Sequence, residues 1–440
     1  MDTLERLAAV VTAGAQEMPS VRIGGVVREV TPTYYRVAGL SRFLKLGDRV
    51  TLCAGGREHA GEVVRIDDAG ATVKPFDGSV DIGIGARAYR LGTMALYPHE
   101  SWKGRVINAL GKAVDGLGPL GAGERAMPAD APPPSAMTRA RVKKPLRTGV
   151  RVIDLFMPIC EGQRIGIFAG SGVGKSTLLS MLARASGFDT VVVALVGERG
   201  REVREFLEGP LAASRERAIT VVSTGDESPM MRRLAPRTAL SIAEYFRDRG
   251  ESVLLIVDSV TRFAHAARDV ALSAGEPAVA RGYAPSVFSD LPKLLERAGP
   301  GEEGSGTITG VFSVLVDGDD HNDPVADNIR GTLDGHIVLD RAIADQGRYP
   351  AVNVLASISR LADHIWTSDQ KELALRLKGM IARYEDTRDL RLMGGYQAGS
   401  DPALDQAVNL VPRIYEALRQ DPSMPPSVDA FAELAQVLRQ

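Results

Sequence analysis

Cysteine is nearly absent. Only Cys53 and Cys160 occur in 440 residues, with no CxxC pair or Cys/His ladder beside them. That argues against a disulfide scaffold and fits a reducing compartment, with both thiols read as small buried apolar groups. Long apolar runs are missing too, since no stretch approaches the ~20 residues that a membrane helix needs. The opening, MDTLERLAAVVTAGAQEM, carries acids early and has no basic region ahead of its apolar run, so no signal peptide is expected there. An excess of one charge is also lacking. Lys and Arg total 53 against 55 Asp and Glu, a formal net charge of -2, which provides no bulk attraction to nucleic acid or an acidic membrane. Aromatic residues are 5% of the chain, and Tyr34 and Tyr35 make no nucleic-acid face without a basic patch. The expectation is a cytoplasmic protein that reaches a membrane only through partners.

What is present is an ordinary globular composition, 44% hydrophobic and 25% charged, in a length that suits two to four domains at roughly 100–200 residues each. Leu4, Leu7, Ala8 and Val11 recur at helical spacing, so residues 1–20 read as a short amphipathic helix for core packing or for docking a partner. Over 21–95, short β-rich runs (VRIGGVVREV, YYRVAGL, DRVTLC, GEVVRI, ATVKPF) alternate with turns and predict a small closed β-barrel. Gly, Pro and Ala dominate 111–145, a surface excursion or linker at the start of the next domain. Over 96–360, the apolar runs RIGIFA, TVVVALV, AITVVS, VLLIVDS and TITGVFSVLV alternate with helical segments. They predict an α/β core whose parallel sheet is covered by helices on both faces. Residues 361–440 show only helical periodicity, in ELALRLKGMIARYED, ALDQAVNLVPRIYEALRQ and VDAFAELAQVLRQ, and form a C-terminal helical domain.

The strand RIGIF runs directly into AGSGVGKSTLLSML. The spacing Ala169-x-x-x-x-Gly174-Lys175-Ser176 is that of a phosphate-binding loop, with Ala in place of the first Gly. Gly170, Gly172 and Gly174 let backbone N–H groups of Ser171, Val173 and their neighbours turn inward around phosphate oxygens. The helix that opens at Lys175-Ser176-Thr177 aims its positive end at the same anion. Lys175 suits the β- and γ-phosphates, and the Ser176 hydroxyl suits Mg²⁺. VLLIVDSVTR ends a buried strand at Asp258, the acid expected to orient that Mg²⁺. ALVGERGREV ends another at Glu198, at the carboxyl edge of the sheet where ligands gather, and Glu198 is the candidate for polarising water. Arg199 stands beside it. The alternative for each is bland: a strand-end acid capping a helix, or a surface Glu/Arg pair of little worth. Asp317, Asp319, Asp320 and Asp323 cluster in VDGDDHNDP, but His321 breaks the calcium-loop spacing, so backbone capping is the expected role. The six histidines show no metal spacing.

ALVGERGREV, VDSVTRFAHAARDV, GYAPSVFSDLPKLLERAG, LDGHIVLDR and GRYPAVNVLASISR together resemble the catalytic subunits of rotary ATPases. FAGSGVGKS, DESPMMRR, LVDGDDHNDPVAD and LDGHIVLDRAIADQGRYPAV resemble the type III export ATPases, the flagellar branch above all. The likeness spans nearly the whole chain and is weakest over the first 20 and last 60 residues. It implies ATP and Mg²⁺ as ligands, with Lys175 and Ser176 on phosphate and Mg²⁺, Asp258 at the Mg²⁺ site and Glu198 activating water. It places Arg199 and Arg262 on the γ-phosphate side, Tyr349 stacked on adenine, and Arg360 offered to a neighbour's nucleotide. A residue supplied in trans implies a ring, a homohexamer in this family. The implied partners are a stator-like regulator at the N-terminal helix, the export gate, a central stalk, export chaperones and unfolded substrates, at the inner membrane. An injectisome ATPase, an ion-translocating synthase subunit, an RNA helicase ring and a non-hydrolysing nucleotide sensor remain as alternatives. The helicase lacks a basic aromatic barrel face, and retention of Glu198 argues against the sensor.

Overall fold

The computed structural model describes residues 4, 22–54, 57–78, 82–209, 211–316 and 323–439. The proposed partner-docking helix at 1–20, apart from Leu4, and the acids Asp317, Asp319 and Asp320 lie outside the described residues. Asp323 is described, and its carboxylate accepts from the N–H groups of Val325 and Ala326 at the start of a helix.

The first unit is a closed six-stranded antiparallel barrel, built from β1 (Gly24–Val30), β2 (Tyr35–Ala38), β3 (Arg49–Ala54), β4 (Arg57–Asp67), β5 (Gly70–Pro75) and β6 (Arg87–Gly92), in the order β1-β2-β5-β4-β3-β6. Alternate residues point inward, as a period of two demands. Val27, Val37, Val50, Leu52, Val63, Val73 and Ala88 fill the interior, each no more than 1% exposed. Closure leaves no unpaired strand edge.

The second unit carries β7 (Val106–Asn108), β8 (Arg164–Ala169), β9 (Thr190–Glu198), β10 (Ala218–Thr224), β11 (Ser252–Asp258), β12 (Thr307–Leu315), β13 (Gly335–Leu339) and β14 (Ile358–Ser359). Their order in the sheet is β14-β13-β8-β12-β11-β9-β10-β7, all pairs parallel except β13 with β14. The expected parallel α/β core is present, and each apolar run named in the sequence is a strand of it. These strands are buried along almost their whole length, which is why they read as continuous rather than alternating apolar runs. The register sets Ala169 beside Leu315 and Leu339, and Leu195 beside Asp258. The carboxyl ends of β8, β9, β11, β12 and β13 therefore share one edge.

Helices α1 (Arg151–Phe156), α2 (Lys175–Ala183), α3 (Gly200–Glu208), α4 (Pro229–Asp248), α5 (Val260–Ser273), α6 (Pro285–Glu296), α7 (Pro324–Thr332) and α8 (Arg341–Asp345) connect the strands. The C-terminal region is helical, with α9 (Ser368–Asp386), α10 (Arg388–Leu392), α11 (Pro402–Leu418) and α12 (Ala430–Arg439). A Thr367/Gln370 capping box starts α9. Leu377 and Ile381 of α9 and Val411 and Ile414 of α11 join the same apolar cluster as Ile153 and Ile165. No helix among the described residues is long and apolar enough to cross a membrane.

Asp154 fastens the C-terminal segment. It accepts from the backbone N–H of Thr148 at 3.0 Å, the Thr148 hydroxyl at 2.7 Å and the N–H of Gly149 at 3.0 Å. That turn presents the Gly149 carbonyl to Gln420 and Ser427. Burial pushes the Asp154 carboxyl up to about 6, against the pull of its hydrogen bonds. A raised carboxyl pKa means the folded state holds the proton more tightly than the unfolded state. Its contribution to stability is therefore full below about pH 4 and is lost as pH rises through about 6. Relative to Asp154→Asn, the parent chain is expected to lose of order ~2–3 kcal/mol between those limits, read from urea unfolding midpoints. Parallel pH profiles for the two proteins would refute this.

Candidate active site

Gly174 has φ +94 and is the residue before α2, while Gly172 has φ +78. Both conformations favour glycine, because a Cβ would crowd the backbone there. Lys175 is the first residue of α2, and its Nζ donates to Asp258 Oδ1 at the end of β11. The same Nζ stands 3.8 Å from Glu198 Oε1 at the end of β9. Arg262, near the start of α5, brings Nη1 to 2.9 Å from that Oε1 and also donates to the Gly197 carbonyl. Gly197 has to be glycine: its φ is +68, and a Cβ would lie 2.9 Å from Arg262 Cδ. Lys175, Glu198, Asp258 and Arg262 thus form one cluster at the carboxyl edge of the sheet, assembled from four separate elements.

The electrostatics are unbalanced in an informative way. Glu198 is 9% exposed, and its Oε1 has no hydrogen-bond partner, although the Arg262 guanidinium is within ion-pair distance. The contact is close but off the hydrogen-bonding direction. Burial first, and the charge of Asp258 second, push the Glu198 carboxyl up to about 7, against Lys175 and Arg262. A buried carboxylate with an orphaned oxygen is suited to take a proton or a hydrogen bond from a bound molecule.

The remaining predicted residues lie elsewhere. Ser176 is exposed on the first turn of α2, and Thr177 follows it. A hydroxyl and a carboxylate are hard oxygen donors of the kind Mg²⁺ takes, so the chemistry of Ser176 and Asp258 fits that ion. Arg199 is not in the cluster. Its side chain is 75% exposed, and Nη1 sits 3.4 Å from Glu202. Arg360 follows β14 at the sheet edge, exposed, with its N–H on the Asp334 carbonyl and Nη2 3.4 Å from the Arg330 carbonyl. Tyr349 lays its ring over Gly174, where a Cβ would be 3.4 Å from ring carbons. A cavity of about 480 Å³ adjoins Tyr349, between Val152, Ile343, Val352 and Ile381, but no phosphate-loop residue lines it.

Ser313 escaped sequence reasoning. It is fully buried on β12 and donates to Asp258 Oδ1 at 2.6 Å, so two donors hold one carboxylate oxygen. The only signal was a hydroxyl inside the apolar run GVFSVLV.

A phosphate loop on a parallel sheet, with a strand-end Asp on its lysine and a buried Glu beside them, defines a P-loop nucleoside triphosphatase. Residues 149–359 match the model of the ATP synthase alpha/beta family nucleotide-binding domain, and 366–436 match the T3SS EscN ATPase C-terminal domain. The flagellum-specific ATP synthase of Agrobacterium fabrum is 57% identical over 438 residues, covering 99% of this chain and 92% of that one. The type 3 secretion system ATPase of Xanthomonas euvesicatoria is 43% identical, over 95% of this chain and 93% of that one. The assembled ATPase EscN of the enteropathogenic E. coli type III secretion system superposes with a TM-score of 0.87 at 36% identity, covering 94% of this chain and 99% of that one. EscN has also been solved in complex with its central stalk EscO, with a TM-score of 0.84. The chain belongs to the ATP synthase alpha/beta family, in the branch that holds the flagellum-specific ATP synthases and the type III secretion ATPases, and it is an ATPase.

Proposed function

We propose that this chain hydrolyses Mg²⁺-ATP within a homohexameric ring of a bacterial flagellar type III export apparatus, coupling turnover to the delivery and unfolding of export substrates. The observation that carries the reading is the buried Glu198 carboxylate, its Oε1 ion-paired with Arg262 and Lys175 but accepting no hydrogen bond. The 57% identity to flagellum-specific ATP synthases, against 43% to a type 3 secretion ATPase, favours the flagellar over the injectisome reading.

The backbone N–H groups of residues 170–174 and the end of α2 bind the phosphates, and Lys175 moves from Asp258 onto the β- and γ-phosphate oxygens. Ser176 and Asp258 would hold Mg²⁺, which would supply positive charge against the phosphates. Glu198 accepts a proton from the attacking water as its oxygen bonds to the γ-phosphorus and the bond to the ADP oxygen breaks. Arg262 steadies both Glu198 and the γ-phosphoryl oxygens. Arg199 reaches them only by leaving Glu202. Tyr349 stacks on adenine. Arg360 completes the site of the adjacent subunit, so hydrolysis belongs to interfaces.

In this reading 1–20 docks a stator-like regulator, 21–95 is the barrel domain, 96–360 the ATPase domain and 361–440 the helical domain. The last meets the central stalk, export gate, chaperones and unfolded substrates on the cytoplasmic side of the inner membrane. No nucleic-acid partner is involved.

Specific activity should rise with protein concentration as rings assemble, followed by turnover and mass measured in parallel. A monomer with flat activity would remove the shared-site mechanism. Complementation is sharper. Arg360→Ala and Glu198→Gln chains, each nearly inactive, should regain up to about a quarter of parental turnover when mixed equally, because one interface in four pairs an intact Glu198 with a neighbour's intact Arg360. No recovery in mixed rings would place Arg360 outside the neighbour's site.

A further inference from the structure

A phosphate loop works only if its peptide planes are turned the right way. The N–H groups must face the anion, so the carbonyls of the same planes must face out. In a planar trans peptide, C=O and the following N–H point in opposite directions. Whatever holds a carbonyl outward therefore also holds the next N–H inward.

The Ser171 carbonyl has such a holder. Arg341, the first residue of α8, donates from Nη2 to it at 3.1 Å. The arginine is well anchored at its base. Asp340 takes the N–H of Ala342 at 2.8 Å and Asn353 Nδ2 at 3.0 Å, and its own N–H is bonded to the Ala351 carbonyl. Eight residues later the same excursion lays Tyr349 over Gly174. The 340–349 segment thus touches the loop twice, once at Ser171 and once at Gly174. Gly172, at φ +78, lies between these contacts.

We propose that Arg341 is a positioning residue of the phosphate loop: its bond to the Ser171 carbonyl sets the Ser171–Gly172 peptide plane, so that the Gly172 N–H faces the nucleotide phosphates. This rests on the reading of residues 170–176 as the nucleotide site. The role is one of hydrogen-bond donation to a carbonyl rather than of charge on the phosphate. An amide donor can perform it, and a methyl group cannot.

The test titrates 2′/3′-N-methylanthraniloyl-ADP into the full-length parent chain, Arg341→Ala and Arg341→Gln, with KM and kcat for ATP measured alongside and folding checked by circular dichroism. A lost hydrogen bond to a loop that must be preordered should weaken the labelled ADP and raise KM by about three- to tenfold in Arg341→Ala, with kcat within about twofold of the parent. Arg341→Gln should recover most of the affinity. Arg341→Ala binding like the parent overturns the inference, as does Arg341→Gln failing as badly as Arg341→Ala, which would mark a charge effect. A parent chain that binds no labelled ADP overturns the nucleotide site itself, and the inference falls with it.

Discussion

Glu198→Gln is expected to bind ATP as the parent chain does and to hydrolyse it about 10²- to 10⁴-fold more slowly, the range for removal of a positioned general base. Glutamine keeps the shape of the side chain but cannot accept a proton. The substitution also removes the charge that faces Arg262 and Lys175, while no hydrogen bond of Oε1 is lost. The pH profile supplies a second readout. The free enzyme holds the Glu198 carboxyl near 7, through burial and then Asp258. The base is competent only when ionised, so kcat/KM should climb as pH rises through about 7 and level off above it. In Glu198→Gln that limb should vanish from the residual rate. Parental turnover in the variant, measured as phosphate release under saturating ATP, would show that another group activates water.

Lys175→Ala removes the one ammonium that touches both acids of the cluster. Two losses follow. The phosphates lose a charge-assisted donor at the mouth of α2, a loss of about 10²-fold or more in ATP affinity for a contact worth roughly 3 kcal/mol. Asp258 and Glu198 also lose their shared counter-charge. Lys175 pulls the Glu198 carboxyl down, so without it the carboxyl rises further and less of the base is ionised at neutral pH. Turnover should therefore fall to background even at ATP concentrations that restore occupancy. Fluorescent-nucleotide titration separates the two effects, and unchanged ATP affinity would remove Lys175 from the phosphate-binding role.

Much of this is legible in the sequence alone. The phosphate loop is contiguous from Ala169 to Ser176, and its glycines, lysine and following helix are local features of the chain. The sheet was legible because strands buried on both faces need unbroken apolar runs, and β9 and β11 are such runs. Asp258 and Glu198 stood out because each is a charge at the end of an apolar strand. Arg199 shows what adjacency leaves undetermined. It follows Glu198 in sequence, yet at the start of α3 the chain turns and its side chain points to solvent and Glu202.

By itself the sequence determined the barrel, the parallel α/β core, the helical C-terminal region, the P-loop pattern and the branch of the family, since each is written in short-range pattern or in long matching motifs. The tertiary structure alone decided the chemistry around them. Lys175 meets Asp258 across 83 positions, Ser313 meets Asp258 across 55, and Arg341 meets Ser171 across 170. No periodicity announces such pairings, because they arise when the parallel register brings distant strand ends to one edge. The raised Glu198 carboxyl belongs with them: its cause is the removal of water and the closeness of Asp258, and neither exists until the sheet has formed.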